Sequence, residues 1–482
     1  MVKTGEKIEG HHPLYNELKA IIGSKFISDE DFELWAYARD SGHIPGKLPG
    51  IIARPGNWDE VSDIVKLANQ TRTPLVPRGG GDSLFGFTRG VPGRNIVIDL
   101  TRMNKTIDID EENMTVTAEC GITLHELETR VKEKGFQVHT VYMPTYSVTL
   151  GGLLSGVTGG GAPLDLASVG WNWRYVLGLK VVLPNGNFLQ TGGGPGTNIN
   201  QKVTYMRELG GPDATGIFIG DGGILGIKAE ATLQITPLQK FVKYGSFLFN
   251  TFNNLWQALS KLMKIEPFPY NVLFAVTPET LAASLPYEEK VFGAFFAIKG
   301  NSEEEIGFKY KAIENICERE EGKPGTGIMQ DYAVALGTGE AIRNMGNYTS
   351  LGLWIFMETI IPKSQFKDHF KRCRNLINER FKEIKDHAVI VDMIIPIQHN
   401  AVFMGIDIFY DDAIPEIREK AFKIAEEFFP FSVSYGGATW GHQGWGSEVL
   451  ASYWSPTFYN FIYTLKRAMD PNNIMNPGLW KM

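Results

Sequence analysis

The stretch Pro74-Leu75-Val76-Pro77-Arg78-Gly79-Gly80-Gly81-Asp82-Ser83-Leu84 decides how this chain is read. Leu75 and Val76 form a short apolar run between prolines, which predicts a strand, and three adjacent glycines follow it almost at once. With no side chain in the way, successive backbone N–H groups can turn toward one anion, and such a nest suits a pyrophosphate. A tight loop without a ligand is the competing reading of three glycines alone. The spacing is neither GxGxxG nor GxxxxGK[ST], so the nicotinamide and P-loop nucleotide sites lack their signatures.

Working outward, the segment at 58–71 places Val61, Ile64, Val65 and Ala68 on one helical face. After the glycines come the strand-like run 95–100 and two alternating runs at 106–119 around Glu111-Glu112-Asn113, which reads as a hairpin. The segment 124–135 carries Leu124, Leu127 and Val131 at helical spacing and ends on Gly135, a natural C-terminal cap. Asn185-Gly186 between apolar runs predicts a two-residue hairpin with both turn positions at positive φ. We therefore expect an α+β first domain over 1–237. Longer helical patterns at 302–321 and 364–384, with strand-like runs at 292–298 and 351–362, predict a second domain over 238–430. The glycine- and aromatic-rich remainder, 431–482, is expected to pack back on the first.

A length of 482 residues favours two or three structural units. A net charge of −7 argues against a nucleic-acid-binding role and leaves small-molecule chemistry as the default. Cys120, Cys317 and Cys373 are too scattered for a zinc site or an iron–sulfur cluster, so any onward electron carrier belongs to another protein. Unpaired cysteines and a polar beginning suggest the cytoplasm. The long uncharged stretch between His139 and Asp165 is crowded with glycine and holds Pro144 and Pro163, which is wrong for a membrane helix, so no transmembrane segment is expected.

A second glycine-rich segment runs from Pro144 through Thr145, Ser147, Thr149, Gly152, Ser155 and Gly156 to Gly159-Gly160-Gly161. Hydroxyls beside bare backbone suit the polar edges of a flavin ring pressed against main chain. A glycine-rich core crossing is the bland alternative. A third cluster, 216–227, reads as the end of another strand and is weak by itself.

In order, these segments resemble the vanillyl-alcohol-oxidase and para-cresol-methylhydroxylase flavoprotein superfamily, and within it the branch of glycolate oxidase subunits and D-lactate dehydrogenases. The resemblance is carried by 37–40, 51–69, 74–83, 97–104, 149–152, 176–186, 216–227 and 470–478. It implies a bipartite FAD-binding domain of that type and an inserted α+β cap domain built on an antiparallel sheet. It also implies that Arg78, Gly79, Gly80, Gly81, Asp82, Ser83 and Leu84 hold the diphosphate. Pro144, Thr145, Ser147, Thr149, Gly152, Ser155, Gly156 and Gly159 would line FAD, with Gly226 and Ile227 beside it. Asp82 stands where some relatives carry a flavin-linked histidine, so no covalent bond forms from that loop.

The departures concern the metal site of the hydroxy-acid branch. Where a GExHGxG-like segment is expected, the chain has His442 and Gln443, and upstream only Gln398-His399-Asn400 remains. His399, His442 and Glu448 do not make a supported metal set, and no metal is assigned. His399 and His442 are instead candidates for the base that takes a substrate hydroxyl proton. Tyr435, in a run with Trp440 and Trp445, suits an aromatic wall and joins them as a catalytic candidate.

The expected activity is FAD-dependent oxidation of a small CH–OH substrate, first a D-2-hydroxy acid. The alternatives are metal-free oxidation of a para-substituted phenol or other alcohol, and an electron-relay subunit. A separate electron acceptor, an iron–sulfur or electron-transfer-flavoprotein subunit, and a homo- or hetero-oligomer complete the expectation.

Overall fold

The computed structural model describes residues 11–42, 44, 46–83, 93–139, 146–156, 172–208, 211–338, 352–439 and 447–482. Contacts divide the chain into two compact units, the first comprising Met1–Gly161, Asn172–Pro237 and Gly441–Met482, the second gathering Leu238–Trp440.

The first unit holds two sheets. Strands β1 (Ile27–Ser28), β2 (Ile51–Ala53), β3 (Leu75–Arg78) and β4 (Ile96–Asp99) lie in the order β1-β2-β4-β3, with β4 parallel to both β2 and β3. The expected helix forms at Trp58–Thr71 because Val61, Ile64, Val65 and Ala68 give it one apolar stripe, and all four are fully buried against Ile51, Leu75 and Ile96. Asn57 caps it by accepting the N–H of Glu60.

The second sheet contains β5 (Thr106–Asp110), β6 (Thr115–Glu119), β7 (Phe136–Val138), β8 (Val176–Val182), β9 (Phe188–Gln190) and β10 (Ile227–Pro237), with β10 between β6 and β8. β5 and β6 are the expected hairpin. β8 and β9 also pair antiparallel, but only Gly186 has positive φ; Asn185 does not. The Gly186 N–H donates to Leu183 O and the Leu183 N–H to Asn187 O, so this is a type I turn closed by a left-handed glycine, one residue longer than the sequence suggested. The cluster at 216–227 leads into β10 and does not end a strand. Asp221 turns the chain there by accepting the N–H groups of Gly223 and Leu225.

The C-terminal residues complete this unit. Leu75 donates its N–H to Ile474 O and accepts from the Asn476 N–H, and Met475 bridges Leu75 in parallel register. Lys466, on the helix Pro456–Met469, is buried and donates to Asp470 at 2.5 Å, Ile224 O at 3.0 Å and Met475 O at 2.9 Å.

The second unit is built on one antiparallel sheet: β11 (Phe241–Phe249), β12 (Val272–Val276), β13 (Phe292–Gly300), β14 (Lys323–Pro324), β15 (Leu353–Ile355), β16 (Glu358–Pro362), β17 (Ala388–Ile397), β18 (Ala401–Tyr410) and β19 (Ala438–Thr439). Its order is β14-β11-β13-β12-β17-β18-β16-β19, with β15 on β18. The helices Glu303–Arg319 and Phe366–Phe381 fall where periodicity placed them. The expected boundary at 430 is corrected: one helix runs through Pro415–Ser434, and β19 pairs with β16, so this unit keeps the chain for about ten residues longer.

Candidate functional site

A cavity in the first unit gathers Arg78 from the end of β3 and Gly79, Gly80, Gly81, Asp82 and Ser83 from the loop after it, with Thr149, Gly152, Ser155 and Gly156 from the second glycine-rich segment. Gly226 and Ile227 close it at the head of β10. Leu84, Pro144, Thr145, Gly159 and His442 lie outside the described residues. Sequence reasoning missed Cys120, Lys228 and Asn476, which also line the cavity. Only Asn476 had a visible signal, its place in the 470–478 segment.

The three segments are stitched together through backbone. Thr149 accepts the Gly152 N–H and starts the helix Leu150–Ser155, whose first N–H groups go to Ile122 O and Cys120 O. Gly220 and Gly222 donate to Leu154 O and Ser155 O, and Asn476 donates to Gly222 O at 2.7 Å. A Cβ on Gly79 would lie 2.0 Å from Thr149 Oγ1, and one on Gly80 would lie 1.8 Å from Ser147 O. These glycines therefore let two loops touch, a stricter demand than giving an anion room. Ser147 stands behind the wall, hydrogen-bonded to Asp82. Burial raises the Asp82 carboxyl pKa against the opposing pull of Ser147 and Arg78, and its Oδ2 has no partner among the described residues.

The backbone N–H groups of Gly79, Gly80, Gly81 and Asp82 donate to no described residue. Four consecutive donors on a glycine loop, with no acceptor among the described residues, form an anion nest. The helix Leu150–Ser155 does not compete for this role, since its first N–H groups are already taken.

Two family models match the sequence: an FAD binding domain over residues 49–192, and the C-terminal domain of FAD linked oxidases over 238–479, half of the chain by itself. The chain belongs to the FAD-linked oxidases. FAD is accordingly its cofactor and oxidoreduction its class of chemistry. A glycolate oxidase subunit of Bacillus subtilis is 26% identical over 480 residues, 96% of this chain and 95% of the relative. A D-lactate dehydrogenase of Archaeoglobus fulgidus is 22% identical over 440 residues, 89% of this chain and 90% of the relative. Para-cresol methylhydroxylase with substrate bound superposes with a TM-score of 0.84 at 18% identity, over 97% of this chain and 96% of its own. The fold is thus the α+β one expected, an FAD-binding domain of the methylhydroxylase type with an antiparallel cap sheet. For this FAD-linked oxidase the cavity fits the cofactor on its own chemistry: a free nest for a diphosphate and bare backbone for close approach.

In the second unit of this oxidase, His399 sits in the β17–β18 turn, its Nδ1 2.7 Å from Met263 O and its Nε2 2.8 Å from the Glu266 carboxylate, and stacks on Phe268. Both ring nitrogens face acceptors within the second unit. Tyr435 caps the helix Pro415–Ser434, half exposed, between Phe431 and the Arg372 guanidinium. Among the described residues no three His, Cys, Asp or Glu side chains are placed to hold a metal, and no helix is long and apolar enough to cross a membrane.

Sequence reasoning also missed a carboxyl pair. Glu358 on β16 stands opposite Gly405 on β18, and Asp407, two residues along, shares that face. A Cβ on Gly405 would lie 3.6 Å from both Asp407 Oδ2 and Glu358 Cγ, so the glycine leaves the gap into which both lean. Both side chains are buried; Asp407 Oδ1 accepts the Met357 N–H at 2.9 Å, and Oδ2 has no partner among the described residues. Burial pushes both carboxyls well up, and the charge of Asp407 adds to the rise at Glu358. Asp392, on the opposite face, is pushed up to about 6 by burial against the pull of Arg374 and the Thr277 hydroxyl. Isolated acidic letters inside apolar strands were the only sequence trace of these groups.

Proposed function

We propose that this FAD-linked oxidase oxidises the CH–OH group of a small D-2-hydroxy acid to the 2-oxo acid, with FAD held in the cavity of the first unit. The observation that carries the cofactor placement is the run of four N–H groups at Gly79–Asp82, inside that cavity, that have no acceptor among the described residues. On this reading those groups and Ser83 hold the diphosphate, while Thr149, Gly152, Ser155, Gly156, Gly226 and Ile227 shape the remaining wall. Ser147 supports Asp82 from behind; Leu84, Pro144, Thr145 and Gly159 are assigned to the same lining from sequence.

FAD supplies the two-electron acceptor; the protein supplies position and proton handling. The substrate loses a hydride equivalent from carbon and a proton from its hydroxyl. His442 is the group assigned to take that proton, since an imidazole titrates near neutral pH. Support for the substrate class is the near full-length similarity to a glycolate oxidase subunit and a D-lactate dehydrogenase. A separate electron acceptor, an iron–sulfur or electron-transfer-flavoprotein subunit in a homo- or hetero-oligomeric assembly, fits a relative named as a subunit. Three buried, unpaired cysteines favour the cytoplasm.

The likeness in fold to para-cresol methylhydroxylase favours a second reading, metal-free oxidation of a para-substituted phenol or other alcohol. Anaerobic addition of D-lactate, glycolate and 4-alkylphenols in turn separates the readings. Bleaching of the flavin band by a hydroxy acid supports the first, bleaching by a phenol the second, and no bleaching by any of them leaves the relay role.

A further inference from the structure

The first unit contains two buried lysines on either side of one loop, and they are served very differently. Lys466 has three N–H donors and three protein acceptors, Asp470, Ile224 O and Met475 O, and does not border the cavity. Lys228, the second residue of β10, is just as deeply buried, with a side-chain exposure of 1%, but makes a single contact, at 2.5 Å to Asp221 Oδ1. Among the described residues no second acceptor reaches its ammonium. Lys228 does border the cavity, next to Ile227 and Cys120.

The partner does not balance that cation as a simple pair would. The Asp221 carboxylate also accepts the N–H groups of Gly223 at 3.0 Å and Leu225 at 3.3 Å, so part of its charge is already spent on its own turn. Cys120 offers no second anion: burial pushes its thiol up and keeps it neutral. A buried ammonium with two unfilled donors is costly unless something in the adjoining space accepts from it.

We propose that Lys228 is a cofactor-binding residue whose positive charge and two N–H groups, without an acceptor among the described residues, are taken up by acceptor atoms of bound FAD, with Asp221 holding the ammonium in place. The inference rests on the placement of FAD in this cavity. It assigns to one lysine a contribution that bare backbone cannot make, because a full positive charge strengthens hydrogen bonds to an anionic ligand beyond what neutral N–H groups provide.

The test uses the full chain stripped of flavin and titrated with FAD, followed by flavin fluorescence. The variant Lys228→Met with Asp221→Asn removes both charges together, so neither is left stranded, and keeps an acceptor for the Gly223 N–H. Its FAD dissociation constant is expected to rise roughly ten- to hundredfold, the range for losing a hydrogen bond to a charged group. The urea midpoint of the flavin-free protein is expected to stay close to the parent's, which separates a lost cofactor contact from a loss of fold. Gly152→Leu serves as the marker of the cavity: Gly152 faces into it, and a Cβ there meets only Thr149 Oγ1, at 3.1 Å. If Gly152→Leu weakens FAD binding and the double variant does not, Lys228 is structural and the proposal falls while the cavity assignment stands. If neither variant changes FAD affinity, the cofactor lies elsewhere and both readings fall.

Discussion

Replacing Gly80 by alanine tests the cradle at its tightest point. The added Cβ would lie 1.8 Å from Ser147 O and 2.9 Å from Asp82 Oδ2. An ordinary C···O contact is about 3.3 Å, so the two loops must part by about 1.5 Å. A shift of that size on one wall takes a donor–acceptor distance of about 2.9 Å beyond 4 Å, where no hydrogen bond survives. Each N–H to a charged oxygen is worth about 1.5–3 kcal/mol. Losing two of the four therefore removes about 3–6 kcal/mol, a fall in FAD affinity of roughly a hundred- to ten-thousandfold. The assay is thermal melting with and without FAD. At a hundred times its dissociation constant, FAD stabilises the parent by about 2.7 kcal/mol, and at roughly 2–4 °C per kcal/mol the melting point rises about 5–10 °C. Gly80→Ala at the same FAD concentration should show no rise. A variant that keeps both the rise and an FAD affinity within about threefold of the parent would refute the packing argument.

Three further outcomes follow from the same geometry. His399→Gln should leave the rate of flavin reduction by substrate within about twofold, since both ring nitrogens are engaged by Met263 and Glu266; stopped-flow absorbance reads this, and a loss of a hundredfold or more, the range for general acid–base catalysis, would restore His399 as the base. Asp407 and Glu358 have carboxyl pKa values raised by folding, so the folded state holds more protons than the unfolded one above about pH 4, and stability falls as pH rises from there, by about 1.4 kcal/mol per pH unit for each proton in question. Asp407→Asn should flatten that fall in urea titrations between pH 5 and 8; an unchanged slope would mean that the pair is ionised in the folded protein. Lys466→Met strands the buried Asp470 carboxylate and should destabilise the first unit by about 3–5 kcal/mol in urea, whereas a loss under 1 kcal/mol would show that water replaces the ammonium.

The sequence exposed those parts of the molecule that repeat a simple period or omit side chains. The stripe Val61, Ile64, Val65 and Ala68 specifies its helix because four apolar residues at helical spacing have one way to be buried together. The glycines at 79–81 were visible, but their use was not: that Gly80 touches Ser147 depends on a segment more than sixty residues away, and nothing local encodes that contact. Asn185-Gly186 misled for a related reason, since the dipeptide permits two turns and the strand register selected the longer one. Nothing in the letters around Lys228 and Glu358 marks either as buried. Their burial follows from which face of the sheet they occupy, and that is settled by pairing across the sheet.

The bridge between Leu75 and Met475 sets a condition on when this protein can become functional. During synthesis the loop at Gly79–Asp82 emerges about four hundred residues before Met475, the neighbour of the strand that precedes it, and before Asn476, which holds Gly222. Domains tend to fold as they leave the ribosome, but this one spans an insertion of about two hundred residues before its own edge arrives. Until that segment has been made, the cavity lacks the side chain of Asn476. A chain that stops before Ile474 therefore lacks both the Leu75 bridge and the Gly222 contact, and is expected to lose the wall that Asn476 gives the cavity.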